Sequence, residues 1–374
     1  MKKIYLILIS MFLIAFAMGC LGGDADFEET KLDVEEGVGI IDTLKIDELR
    51  PGLSGYVSLT LRSNLEGIGS SDVEISLENV RPFAILECGE DYYDPNIIRM
   101  CPGQLELDTG LPVSKRGTER VFPGEELEVF WRIRAPGRDE ISDIALRHPL
   151  YYNVEYSYSV NFRQNIIFMS HEEMLRRRER GEDYIMTGET GSTAGEIRFS
   201  GATRQPIYYS FDYRAFDNQD EKEFDFVLSY SIVNRGRGFP ISDIVLIMTY
   251  PDDGITYNPE LMREYGWEES LGNEKCHDGT EIITDCENWI RGIFEAEFID
   301  GITGGDNVLY RIIDRERFMD EFSVHAPMQI SSEEMTQLRN RNVPLRIYSF
   351  NVYAAYRYYI EGKEYINVYP LRGI

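Results

Sequence analysis

The sequence predicts an all-β protein built as two tandem antiparallel β-sandwiches, with a short linker helix between them and a signal helix at the N-terminus. Three observations carry this. Apolar residues alternate with period two along several segments, local signatures recur in the same order about 170 residues apart, and the chain opens on a sorting leader.

Met1, Lys2 and Lys3 give a positive start, and Ile4 to Ala17 is an uncharged run of 14 residues. A membrane-crossing helix needs about 20 apolar residues, so this run reads as an export signal. It ends in Ala17-Met18-Gly19-Cys20-Leu21-Gly22-Gly23, which resembles the lipobox of prokaryotic lipoproteins, with Ala17 where leucine is usual. The resemblance implies that residues 1–19 are a lipoprotein signal peptide and that Cys20 is lipidated. The chain would then be anchored on the extracytoplasmic face of the cell membrane. Residues 20–36 read as an acidic tether: from 21 onward seven acids stand against Lys31, and such a stretch repels itself and stays extended.

The first sandwich is assigned to residues 37–167. Val57, Leu59 and Leu61 alternate with polar neighbours, as do Leu127, Val129, Trp131 and Ile133 after the turn former Pro123-Gly124. In Tyr152, Val154, Tyr156, Tyr158, Val160 and Phe162 the even positions are apolar, while Asn153, Glu155, Ser157, Ser159 and Asn161 lie between them. That is a half-buried strand. Residues 168–195 read as the linker. Ser170 and Glu173 form a Ser-X-X-Glu capping box, followed by Met174, Leu175, Arg176, Arg177, Arg178, Arg180 and the stop signal Gly181. In so acidic a chain the basic run reads as a helix paired with neighbouring carboxylates, not as a nucleic-acid patch.

The second sandwich, 196–374, repeats the programme. Phe226, Leu228, Tyr230 and Ile232 alternate, and so do Tyr348, Phe350, Val352, Ala354, Tyr356 and Tyr358. Glu361-Gly362-Lys363 reads as a tight hairpin into a last strand, Tyr365 to Tyr369. Asn64, a Gly-rich turn and Ser71-Asp72-Val73-Glu74-Ile75 recur as Asn234, Gly236, Gly238 and Ser242-Asp243-Ile244-Val245-Leu246. Each half then carries a cysteine-bearing insertion and a strand ending in Ala-Pro, at Ala135-Pro136 and Ala326-Pro327. Leu49-Arg50-Pro51-Gly52, the Asn before its turn, and Pro123-Gly124-Glu125-Glu126 leading to Trp131 resemble the immunoglobulin-like domains of archaeal and bacterial surface proteins, those related to CARDB adhesion modules and S-layer-associated repeats. The likeness is one of pattern over residues 37–165 and, more loosely, 196–370; the long insertions depart from it. It implies immunoglobulin-like sandwiches that bind, space or assemble.

Cys88, Cys101, Cys276 and Cys286 are an even number in an exported chain, which predicts disulfides. Of three connectivities the local pairs Cys88 to Cys101 and Cys276 to Cys286 are favoured, because each half holds one pair. They staple two insertions, Glu87 to Arg120 and Gly254 to Asn307, and loops this long inside compact domains are functional or disordered. Tyr92, Tyr93 and Asp94 in the first, and Tyr265, Trp267 and Trp289 in the second, are the candidate binding residues. Aromatics beside hydrogen-bonding acids suit a protein surface or a glycan; the alternative is that they form a small core beneath the loop. No cofactor is implied, and calcium is the one metal the acid clusters would suit. Neither Glu90-Asp91-Tyr92-Tyr93-Asp94 nor Asp217-Asn218-Gln219-Asp220-Glu221 has EF-hand spacing.

A formal charge of −27 disfavours nucleic acid as a partner. Basic residues are mostly arginine, with only eight lysines, which together with the acidity and the Cys20 junction hints at an archaeal source. His148, His171, His277 and His325 are far apart, and there is no zincin helix, nucleophile elbow or phosphate loop, so no catalytic residue is assigned. The expectation is a non-catalytic, lipid-anchored cell-surface protein that binds an envelope protein or glycan through stapled loops. The rivals are a passive spacer or envelope-lattice component, and a hydrolase with an unrecognised site.

Overall fold

The structure is a computed structural model that describes residues 40–46, 48–63, 73–90, 113–116, 126–141, 145–186, 188–193, 195–209, 224–271, 274–293, 307–316, 318 and 321–369. The strands of the first half are β1 (Ile40–Ile46), β2 (Ser54–Ser63), β3 (Val73–Glu78), β4 (Ala84–Glu90), β5 (Val113–Arg116), β6 (Glu126–Arg134) and β7 (Leu146–Ser170). Helix α1 (His171–Arg180) follows, then β8 (Thr190–Ser192), β9 (Ile197–Gly201), β10 (Ile207–Tyr209), β11 (Phe224–Asn234), β12 (Phe239–Pro240), β13 (Ile244–Thr249) and β14 (Ile255–Thr256). The remaining elements are α2 (Pro259–Glu264), β15 (Cys276–His277), β16 (Ile282–Ile283), α3 (Cys286–Ile293), β17 (Val308–Ile313), β18 (Glu321–Ile330), α4 (Ser332–Asn340) and β19 (Leu345–Val368).

The fold is all-β and almost wholly antiparallel. One four-stranded sheet runs β1-β2-β6-β4 and a second runs β9-β11-β18-β14, the same order of counterparts in the two halves. Opposite both lies one sheet running β5-β3-β7-β19-β13-β17, to which β8, β10 and β12 add. Its centre is the pairing of β7 with β19, unbroken from Leu146↔Val368 to Met169↔Leu345. The two halves therefore continue through a common sheet, and Gly37–Ile374 holds together as one compact unit. A strand of 25 residues reaches about 80 Å, long enough to lie under both smaller sheets.

The period-two pattern explains the layering. The even residues of β7 from Leu150 to Phe162 are all buried, as are Tyr348 to Tyr358 on β19. At one end this face meets Val57, Leu59, Trp131 and Ile133 of the first small sheet; at the other, Phe162 stacks on Phe199 at 5.6 Å and Phe168 meets Phe226 edge-on at 5.0 Å. Each fully buried aliphatic or aromatic side chain contributes about 1.5–3 kcal/mol. Strand β13 reads as an unbroken apolar run because both its faces are covered: Ile244, Leu246 and Met248 enter the main core, Val245 and Ile247 a second one.

Helix α1 forms where the capping signals place it. The Ser170 hydroxyl accepts from the Glu173 N–H at 3.1 Å, and Gly181 closes the helix with φ 69°. The box is only half made, since the Ser170 N–H donates to the Pro344 carbonyl. The freed Glu173 carboxylate instead gathers Arg176, Arg177 and Arg180 at 2.9, 2.9 and 3.6 Å. The stretch read as a linker is tied to the fold: β7 runs on to Ser170, and β8 pairs with Phe162 to Gln164.

The expected hairpin at Glu361-Gly362-Lys363 does not form. Strand β19 passes straight through, with Gly362 opposite Tyr152. The glycine serves close approach and not a turn, because a Cβ at this position would overlap the Tyr152 ring.

Candidate functional site

The described residues of the second insertion are fastened in two places: 255–267 pair with β18 and pack into the main core, while Leu271 and 274–293 cover the outer face of the common sheet. Asn258 caps α2 by accepting from the Glu260 and Leu261 N–H groups at 3.0 and 3.1 Å, with Pro259 pre-set for the first turn. Asp285 caps α3 by accepting from the Asn288 N–H at 3.0 Å. Cys276 and Cys286 are bonded, with Cα atoms 5.7 Å apart, so the favoured local pair is present. Both cysteines join Leu271, Ile290, Ile293 and Val308 in a small core against Val245, Ile247 and Ala355 of the sheet.

A polar clamp fixes the same insertion. Asp243, from the recurring Ser-Asp signature, accepts the His277 N–H at 2.8 Å and the Arg315 N–H at 3.1 Å, while its own N–H donates to the His277 carbonyl at 2.8 Å. Ser242 is fully buried and accepts the Arg357 N–H at 2.7 Å. Beyond His277, the Asp278 carboxylate accepts from the Thr280 and Glu281 N–H groups at 2.7 and 2.8 Å. Burial works against that charge, but the bonds from Glu281 and Thr280, with Arg357 nearby, hold Asp278 below the usual carboxylate value. Gly279 takes φ 109°, a conformation that favours glycine.

The candidate aromatics separate. Trp267 is fully buried, and its indole N–H donates to the His325 carbonyl at 2.8 Å, so it packs the insertion and offers no surface to a ligand. Trp289 is half-buried against the small core. Tyr265 is 39% exposed, its ring roughly perpendicular to that of His325, so of the three candidate aromatics it and Trp289 keep surface open to solvent. Cys88 lies on β4 opposite Trp131, but its expected partner Cys101, with Tyr92, Tyr93, Asp94, the Asp217 to Glu221 cluster, Cys20 and the leader, lies outside the described residues. Among the described residues no group of three or more His, Cys, Asp or Glu side chains is arranged to hold a metal, and no helix is long and apolar enough to cross a membrane.

Three features escaped the sequence because each joins distant segments. A polar pocket of about 450 Å³ lies beside α4, lined by Asp252, Asp253, Glu333, Glu334, Arg341 and Arg346 among others. There the Tyr348 hydroxyl donates to Glu334 at 2.7 Å; burial, then that bond, raises the phenol above its ordinary range. On the exposed face of the β11–β18 pair, Ser229 Oγ sits 3.0 Å from His325 Nδ1, a cross-strand hydrogen bond open to solvent. The third is a group of cations and tyrosines on the outer face of β7 and β19: Arg147, Tyr151, Lys363 and Tyr365. Its only sequence signal is the odd positions of two strands whose even positions form the core.

No family model matches the chain, and no curated protein matches it. The resemblance to CARDB-type modules therefore rests on local pattern alone. Among solved structures, a Corynebacterium diphtheriae protein described as membrane anchored aligns with 78% of this chain and 83% of its own, at 6% identity and a TM-score of 0.17. Salmonella alpha-2-macroglobulin reacted with methylamine aligns with 79% of this chain at 9% identity and a TM-score of 0.13, and this chain spans only 17% of its length. A mutant of that macroglobulin gives the same figures. Likenesses this weak carry no argument about fold or function.

Proposed function

We propose that the chain is a non-catalytic, lipid-anchored cell-surface protein whose insertions bind another envelope protein or a glycan. Cys20 is the anchor and residues 20–36 the tether. The observation that carries the binding role is the triple fastening of the second insertion, by Cys276–Cys286, by the Asp243 clamp and by its own small core. A loop held this firmly meets a partner with little further ordering entropy to give up. The matching strand orders of the two small sheets support two diverged copies of one domain.

Deleting residues 277–285 or 89–100 should abolish capture of the partner while the fold still melts cooperatively; capture that survives both deletions rejects the reading. Loss of acyl labelling in Cys20→Ala is expected, and persistence of the label rejects the anchor.

A second reading, a passive spacer, is favoured by the unbroken β7–β19 pairing, which makes both halves one stiff body. Under it, tether length would matter and loop identity would not.

A further inference from the structure

Several arginines pair with carboxylates: Arg176, Arg177 and Arg180 with Glu173, Arg291 with Glu287, Arg357 with Glu155. Arg147 and Lys363 are different. Among the described residues neither has an ion-pair partner, and both lie on tyrosine rings instead. The Arg147 guanidinium carbon is 4.0 Å from the Tyr365 ring centroid, and Lys363 Nζ is 5.0 Å from Tyr365 and 5.2 Å from Tyr151. The strand register sets Lys363 directly opposite Tyr151. The result is an alternating ladder, Arg147, Tyr365, Lys363, Tyr151, on a rigid sheet, with both cations exposed.

We propose that this ladder is a binding site for an acidic polysaccharide. Carboxylates spaced along such a chain would meet Arg147 and Lys363, each already held by cation–π contact, and the phenol hydroxyls would bond to sugar oxygens. A continuous anionic surface fits less well. Glu361 is exposed two residues from Lys363 on the same face of β19, so a bilayer of anionic headgroups would press acid against acid. Two cations on a chain of formal charge −27 are too few for duplex nucleic acid, which carries one charge per about 1.7 Å, and suit a polyuronate, which carries one per sugar ring. The ladder lies about 26 Å along β19 from Ala355, where the stapled insertion packs, so the two sites are separate. The inference shares with the proposed function only the view that the chain is a binding module.

The test uses the full chain with polygalacturonate as probe, dextran as its neutral counterpart and phosphatidylglycerol vesicles as the lipid arm. Polygalacturonate should bind in low salt and weaken as salt screens the charges. It should bind about tenfold more weakly to the Arg147→Ala/Lys363→Ala chain, in which two exposed cations no longer face the carboxylates. Lys363→Arg should bind like the wild type, and deleting residues 277–285 should leave the affinity unchanged, which separates failure here from failure of the stapled-loop reading. Equal affinity of the double variant, equal binding to dextran, preference for vesicles, or no binding in low salt would each overturn the proposal.

Discussion

Trp267→Ala separates packing from binding at the stapled insertion. The ring is fully buried, its N–H is bonded to the His325 carbonyl, and the Arg311 guanidinium lies 6.0 Å from its centroid. A buried Trp removes up to about 250 Å² from water, which at about 25 cal/mol per Å² sets a ceiling near 6 kcal/mol. Truncation of such a ring costs about 3–5 kcal/mol, and stranding the His325 carbonyl adds about 1 kcal/mol. Urea unfolding should therefore show a loss of about 4–6 kcal/mol, with the midpoint lowered and the slope unchanged. Against a total stability of about 5–15 kcal/mol the variant stays folded in the cold and melts early. Tyr265→Ala, at an exposed position, should change stability by less than about 0.5 kcal/mol. A Trp267→Ala loss below about 1 kcal/mol accompanied by loss of partner binding would refute the packing role.

The Cys276–Cys286 bond closes a separation of 10 residues, so replacing both cysteines by alanine should cost about 3 kcal/mol by loop entropy and open residues 277–285 to protease before the sheets unfold. Gly362→Ala should cost about 1–3 kcal/mol by forcing a methyl into the Tyr152 ring, and calorimetry would show it; a neutral effect would restore the turn. Burial, reinforced at Tyr156, Tyr356 and Tyr358 by the Glu196 charge, holds those phenols and Tyr230 above their ordinary value, so the unfolded chain loses these protons first as pH rises. Their contribution to stability is complete below pH about 10 and falls above it. Phenolate absorbance should thus rise in two steps, the second coincident with unfolding.

The alternation of Tyr152 to Phe162 and of Tyr348 to Tyr358 shows in sequence because a sheet with one buried face imposes a period of two on its own residues. Helix α1 shows for a similar local reason, through Ser170, Glu173 and Gly181. The pairing of β7 with β19 is not legible, since nothing near Tyr156 states that its cross-strand partner is Tyr358, about two hundred positions on. Gly362 misleads because an absent Cβ serves a turn and a close ring contact equally well. Trp267 and Trp289 look alike in an insertion without periodicity; only the fold buries one and leaves the other half open. The ladder of Arg147, Tyr151, Lys363 and Tyr365 is hidden in the polar half of a pattern whose apolar half is the obvious signal.

Binding through the stapled insertion is tested most directly by cross-linking the intact lipidated chain on its native envelope and comparing it with a Tyr265→Ala/Trp289→Ala chain of matched melting temperature. Loss of the cross-linked partner in the double variant, with the disulfide and fold intact, is the predicted result. An unchanged cross-link would contradict it and leave the insertion as a passive cover on a spacer.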